Sequence, residues 1–161
     1  VKDLPDKIRE YGLKTVKSFG VKSRFIHLEF FVLTQDQEGL GKAGDVLGLE
    51  VNMRPAGGYT PDMYNYSQET DVYKIWADMV CFNKNTKPIG AHHFCAFYGR
   101  RDGTHYKLDD YEIMMKYRDH MVMNGRIPDA LSGAMANQMY VATFDTQEEL
   151  DQFYSDMEEK F

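Results

Sequence analysis

Two stretches early in the chain alternate like strands, and the segment joining them is built to turn. The first is Phe25-Ile26-His27-Leu28-Glu29-Phe30-Phe31-Val32-Leu33 and the second Val46-Leu47-Gly48-Leu49-Glu50-Val51-Asn52-Met53-Arg54. Residues 34–45 between them are polar and carry Gly39, Gly41 and Gly44, which is the composition of a connection. Strand, polar loop, strand predicts an antiparallel hairpin. Side chains of a strand alternate faces, so Glu50, Asn52 and Arg54 fall on one face and Leu47, Leu49, Val51 and Met53 on the other. A turn centred near Gly39-Leu40 puts Glu29 opposite Glu50, with Cβ atoms about 4.5–5.5 Å apart.

That juxtaposition has chemical consequences. Glu29 lies among aromatic and aliphatic neighbours, where a carboxylate is costly unless paired or bound to a cation. Two opposed carboxylates repel unless one is protonated or a cation lies between them. Asn52 adds an amide oxygen, and carboxylate and amide oxygens suit a hard cation such as Mg²⁺. Arg54 offers a planar fork for a phosphoryl or carboxylate oxygen. The set points to a site for a metal-bound polyphosphate. Two structural alternatives stand beside it: a hairpin with one solvated face, and an ion pair from Glu29 to Arg24 or Arg54.

With Glu29 on one strand and Leu49-Glu50-Val51-Asn52-Met53-Arg54-Pro55-Ala56-Gly57-Gly58 on the next, the chain resembles the last part of an ATP-grasp domain. That superfamily includes biotin carboxylase and the large subunit of carbamoyl-phosphate synthase. Its hallmark, a glutamate followed on the next strand by Glu-x-Asn-x-Arg, is matched by Glu29, Glu50, Asn52 and Arg54. Gly57-Gly58-Tyr59-Thr60-Pro61-Asp62 is most similar to carbamoyl-phosphate-synthase-like members. The resemblance covers about the first half of the chain.

The resemblance implies that Glu29, Glu50 and Asn52 hold Mg²⁺ (or Mn²⁺) bridging the phosphates of ATP. It implies that Arg54 contacts the γ-phosphate or an acyl-phosphate as the catalytic residue, and that Gly57 and Gly58 help bind the nucleotide. The reaction implied is an ADP-forming ligation. A small carboxylate is activated as its acyl-phosphate, and a nucleophilic co-substrate then attacks it. The family's nucleotide-covering glycine-rich loop and phosphate-contacting lysines have no counterpart before Glu29, and the chain begins with Val1. The expectation is therefore a C-terminal fragment of a cytoplasmic ligase, carrying half a site and inactive alone. The alternative is a non-catalytic binding or homodimerisation module retaining a relic of the motif.

Composition narrows the partners. Nineteen basic and 25 acidic residues give a net charge of −6, which disfavours nonspecific nucleic-acid binding. No apolar run reaches the ~20 residues of a membrane helix. Cys81 and Cys95 have neither metal-site nor disulfide spacing and read as buried free thiols.

The fold class expected is α+β, with the ATP-grasp part over 1–82 and a smaller α+β domain over 83–161. A helix is predicted over 5–19, with Pro5 in its first turn. A second opens at Thr60-Pro61, beside a diglycine loop able to hold an anion. A third spans 70–81, with Val72, Ile75, Trp76, Met79 and Val80 on a core-facing stripe. The second half reads β-β-α-β-α: a strand over 91–99, a return strand through 105–107, a helix over 109–123, a strand over 138–144 and a last helix. Asp109 with Glu112, and Thr146 with Glu149, form capping boxes. His92, His93 and Cys95 cannot all converge on a metal from one strand and read as packing or recognition residues. Arg100-Arg101 reads as a solvated turn, with contact to an anionic substrate as the alternative.

Overall fold

A computed structural model describes residues 3–161. The described chain is α+β, with six helices and two small antiparallel sheets. It divides into two compact units. The first comprises Asp3–Pro61 and Asp71–Pro88, and the second Asp62–Thr70 and Ile89–Phe161. The chain crosses between these units at 61/62, 70/71 and 88/89.

In the first unit, helix α1 (Asp6–Ser18) precedes the hairpin of β1 (His27–Val32) and β2 (Val46–Asn52), and α3 (Val72–Phe82) follows later in the chain. The hairpin loop is fastened by Asp36 and Asp45. Their carboxylates accept from the backbone N–H groups of Ala43 and Lys42, each at 2.9 Å. Gly41 has φ +155°, and a Cβ there would lie 2.8 Å from the Asp45 carboxylate. Helix α3 is capped by Asp71, which accepts from Lys74 N at 2.9 Å. Its stripe is not a core face: Trp76 is 50 % and Val80 74 % exposed. The buried residue of α3 is instead Asp78, whose carboxylate is taken up by Lys74 and Thr86. A satisfied carboxylate can occupy an interior position that apolar periodicity assigns elsewhere.

Helix α2 (Thr60–Ser67) runs into the second unit. There β3 (Phe94–Arg100), β5 (Gln138–Phe144) and β4 (Met121–Arg126) form a sheet in the order β3-β5-β4. Central β5 is buried at Met139, Tyr140, Val141, Ala142 and Phe144, the near-continuous burial of a strand covered on both faces. On one face Ala96, Tyr140, Ala142 and Phe144 meet Ile113 and Tyr117, and Leu150, Phe153 and Met157 from α6 (Gln147–Glu158). Edge-to-face ring contacts of Tyr117 with Phe144 (6.1 Å) and Phe153 (5.1 Å) fix this layer. On the other, backbone passes so close to Gly99 that a Cβ there would sit 2.4 Å from the Met135 carbonyl oxygen.

The expected β-β-α-β-α order is replaced by β-α-β-α-β-α. The helix predicted over 109–123 stops early as α4 (Asp110–Lys116), and Met121–Arg126 is strand β4. The Tyr117 carbonyl accepts from both His120 N and Met121 N at 2.9 Å, closing the helix in a tight turn. Ile127 and Pro128 then lead into α5 (Asp129–Met135), a helix that the sequence reading lacks. Residues 105–107 pair not with β3 but with the C-terminal tail, through Lys107 N to Glu159 O (2.9 Å) and Phe161 N to His105 O (3.3 Å). Both expected capping boxes are present.

Candidate functional site

The β1–β2 register brings the motif residues together. Glu29 pairs with Glu50, and His27 with Asn52. Alternation then places His27, Glu29, Glu50 and Asn52 on one face of the hairpin. A β-bulge follows, where Phe30 pairs with Gly48 and Leu49 is the extra residue. The bulge resets the alternation: Leu47 pairs with Phe31 and so lies on the Glu29 face, not opposite it as expected. Gly48 tolerates the irregular backbone that a bulge requires.

Glu29 finds a polar partner within its own strand. Its Oε1 lies 3.3 Å from His27 Nε2, with the two side chains 41 % and 26 % exposed. The partner is neither Arg24 nor Arg54. His27 Nδ1 and Asn52 Nδ2 are shielded from solvent and have no hydrogen-bond partner. Shielded polar atoms left unpaired cost about 1–3 kcal/mol each. His27 could have been found by the same two-residue step that relates Glu50 to Asn52.

Arg54 lies beyond the end of β2. It is exposed, and its Nη1 donates to the Pro55 carbonyl at 2.9 Å. Gly57 and Gly58 follow in an exposed loop; Gly58 has φ +61°, and the Gly57 carbonyl accepts from Thr60 N at 3.4 Å as α2 begins. The hairpin face thus presents two carboxylates and an amide, hard donors suited to Mg²⁺ or Mn²⁺. Among the described residues no three His, Cys, Asp or Glu side chains group to enclose a metal. An ion held here would share its shell with phosphate or water, as Mg²⁺ commonly does.

The other sequence candidates lie in different settings. Arg100 is 3 % exposed and not part of a solvated turn. Its Nη1 donates to Leu108 O (2.7 Å), Nε to Met157 O (3.3 Å) and Nη2 to Asp156 O (3.3 Å), and its guanidinium lies 4.4 Å from the Tyr106 ring centroid. Three of its N–H groups are thus committed to backbone carbonyls of the fold. Arg101 donates to the Ser132 and Gly133 carbonyls. Cys81 is exposed, contrary to expectation, while burial pushes the Cys95 thiol up to about 11. His93 lies between two carboxylates, Glu69 and Asp145.

Compared with known families and curated proteins, the chain matches no family model and no curated sequence. Among the described residues no helix is long and apolar enough to cross a membrane.

Proposed function

We propose that this chain is the C-terminal part of an ATP-grasp, ADP-forming carboxylate ligase of the carbamoyl-phosphate-synthase-like kind, acting in the cytoplasm. The observation that carries the reading is the cross-strand pairing of Glu29 with Glu50, with Asn52 on the same face and shielded, unpaired polar atoms on Asn52 and His27. Glu29, Glu50 and Asn52 would hold the divalent cation of Mg·ATP or Mn·ATP, which would supply charge neutralisation for phosphoryl transfer. Arg54 turns its planar fork to the transferred phosphoryl group or the acyl-phosphate. The amides of the Gly57-Gly58 loop support the phosphates. A small carboxylate is the acceptor, and a separate nucleophile completes the ligation.

The test is ADP release by the longest natural polypeptide containing this chain, given Mg²⁺, ATP and a pool of small carboxylates and amines, beside its Glu50→Gln variant. Substrate-stimulated release that Glu50→Gln abolishes supports the reading. Equal release from both forms contradicts the metal role of Glu50.

One observation favours a second reading, a non-catalytic binding or homodimerisation module. Leu49, Val51, Met53, Trp76, Val80 and Phe82 of the first unit are all at least 36 % exposed, and where such groups are contiguous they mark interaction surfaces. A well-folded long form that releases no ADP across the whole pool would move the assignment to this reading.

A further inference from the structure

We propose that His93 is a pH-sensitive clasp holding the strap of residues 62–70 onto the start of β3 within the second unit, closed while the ring carries both protons and loosened when it loses one. This inference is independent of the hairpin site.

The clasp follows from strand register. Phe94 pairs with Phe144 at the end of the β3–β5 ladder, so the next residues outward, His93 and Asp145, stand opposite one another. His93 Nδ1 lies 2.7 Å from Asp145 Oδ1. The other ring nitrogen, Nε2, lies 3.0 Å from Glu69 Oε1. Glu69 reaches this position with φ +43°, a conformation uncommon for a side-chain-bearing residue and held by its surroundings. Its second carboxylate oxygen accepts from Ala91 N at 3.3 Å. The strap is also laced by backbone, with Gly90 N donating to Gln68 O and His93 N to Ser67 O, both at 2.8 Å. A Cβ on Gly90 would come within 2.7 Å of the Glu69 Cβ, so strap and strand approach as closely as glycine permits.

Only an imidazolium serves this geometry. An ionised carboxylate accepts and cannot donate, and a neutral imidazole carries one N–H. Glu69 and Asp145 side chains are 57 % and 76 % exposed, where carboxylates are ionised at neutral pH. Two ionised carboxylates on two ring nitrogens therefore require both nitrogens protonated. The charged groups acting on the ring are these two, Glu69 from the strap and Asp145 from the turn before α6. Hydrogen bonds donated to Glu69 first, then to Asp145, raise the His93 pKa above its ordinary value, while partial burial acts the other way. The Glu69 carboxyl is correspondingly lowered, chiefly by His93.

The sign is fixed by linkage. A histidine whose folded pKa is raised contributes its full stabilisation below the unfolded value, ~6.5, and loses it as pH rises through the higher folded value. The clasp is closed in mild acid and opens toward alkaline pH. The residues it holds lie between two crossings of the chain from one unit to the other, at 61/62 and 70/71.

The test uses the full chain and two NMR readouts between pH 5.5 and 9. Ring ¹⁵N shifts should report a doubly protonated His93 at pH 7. Hydrogen-exchange protection at Ala91, His93 and the strap amides, corrected for intrinsic rate, should fall about five-fold across the titration, while β5 amides stay unchanged. Glu69→Gln and Asp145→Asn should each lower the His93 pKa and flatten the pH dependence. A neutral His93 ring at pH 7, or strap protection independent of pH, would overturn the clasp; both can be read on the unsubstituted protein, whatever the variants do.

Discussion

The second unit closes a core around Tyr140, Phe144 and Phe153, each no more than 2 % exposed, whereas in the described first unit the buried residues are Leu33, Val46 and Asp78. The contrast is one of layers. Three strands and α6 can hide apolar side chains on facing surfaces. A two-stranded hairpin has two open edges and is marginally stable alone. Its polar face carries two shielded polar atoms without hydrogen-bond partners, on His27 and Asn52. The second unit carries stability that its own sequence can supply. The first carries the candidate chemistry and a surface whose apolar groups are incompletely covered.

Truncation should separate the two. Phe153→Ala removes a fully buried ring from the α6 layer and should cost the second unit about 3–5 kcal/mol, measured by chemical denaturation. Trp76→Ala, at a residue 50 % exposed on α3, should cost under about 1 kcal/mol. Equal losses would erase the distinction between a core-built and a surface-rich unit.

Arg100→Met sharpens it from the polar side. It leaves the Leu108, Asp156 and Met157 carbonyls without the guanidinium donors and should destabilise the second unit by about 2–4 kcal/mol. A midpoint unchanged from wild type would show that water replaces those bonds without cost.

Acid should act on the same unit. Burial pushes the Asp156 carboxyl up, but hydrogen bonds from Lys116 (2.5 Å), Tyr117 (2.5 Å) and Gln152 (3.0 Å) outweigh it and hold the pKa below the ordinary 3.8. Its stabilisation is present above that ordinary value and is lost as pH falls through the lower folded value. Unfolding of the second unit should therefore steepen below about pH 4, and Asp156→Asn should blunt that acid limb. The smallest effect is expected at Asp102. Its forked pair with Arg126, at 2.7 and 2.6 Å, is solvent-exposed, and Asp102→Ala should leave Tm within error because exposed pairs contribute little.

Local signals carried much of this architecture. Capping boxes at Asp109/Glu112 and Thr146/Glu149 marked helix starts, since those bonds form within one turn. Opposition of Glu29 and Glu50 was expected from a turn near Gly39-Leu40, but the register beside the loop pairs Phe31 with Leu47, and it is the bulge that brings Glu50 opposite Glu29. The bulge at Leu49 was hidden because it depends on how two strands meet, and it moved Leu47 to the Glu29 face. Met121-Val122-Met123 continued a helical pattern and became strand because β5 lay ready to pair with it, a tertiary choice that propensity does not encode. Arg100 looked like a turn residue beside Arg101; its burial rests on carbonyls of Asp156 and Met157, far along the chain. His93 was visible as a residue but not as a clasp, since Glu69 and Asp145 lie 24 and 52 positions away.

The most direct measurement is paramagnetic broadening of backbone amides by Mn²⁺ in the presence of ATP, recorded on this chain and on Glu50→Gln. Broadening centred on residues 27–30 and 48–54, dependent on nucleotide and lost in Glu50→Gln, is the predicted result. Uniform broadening, or broadening centred on the second unit and indifferent to Glu50, would contradict a metal–phosphate site on the hairpin.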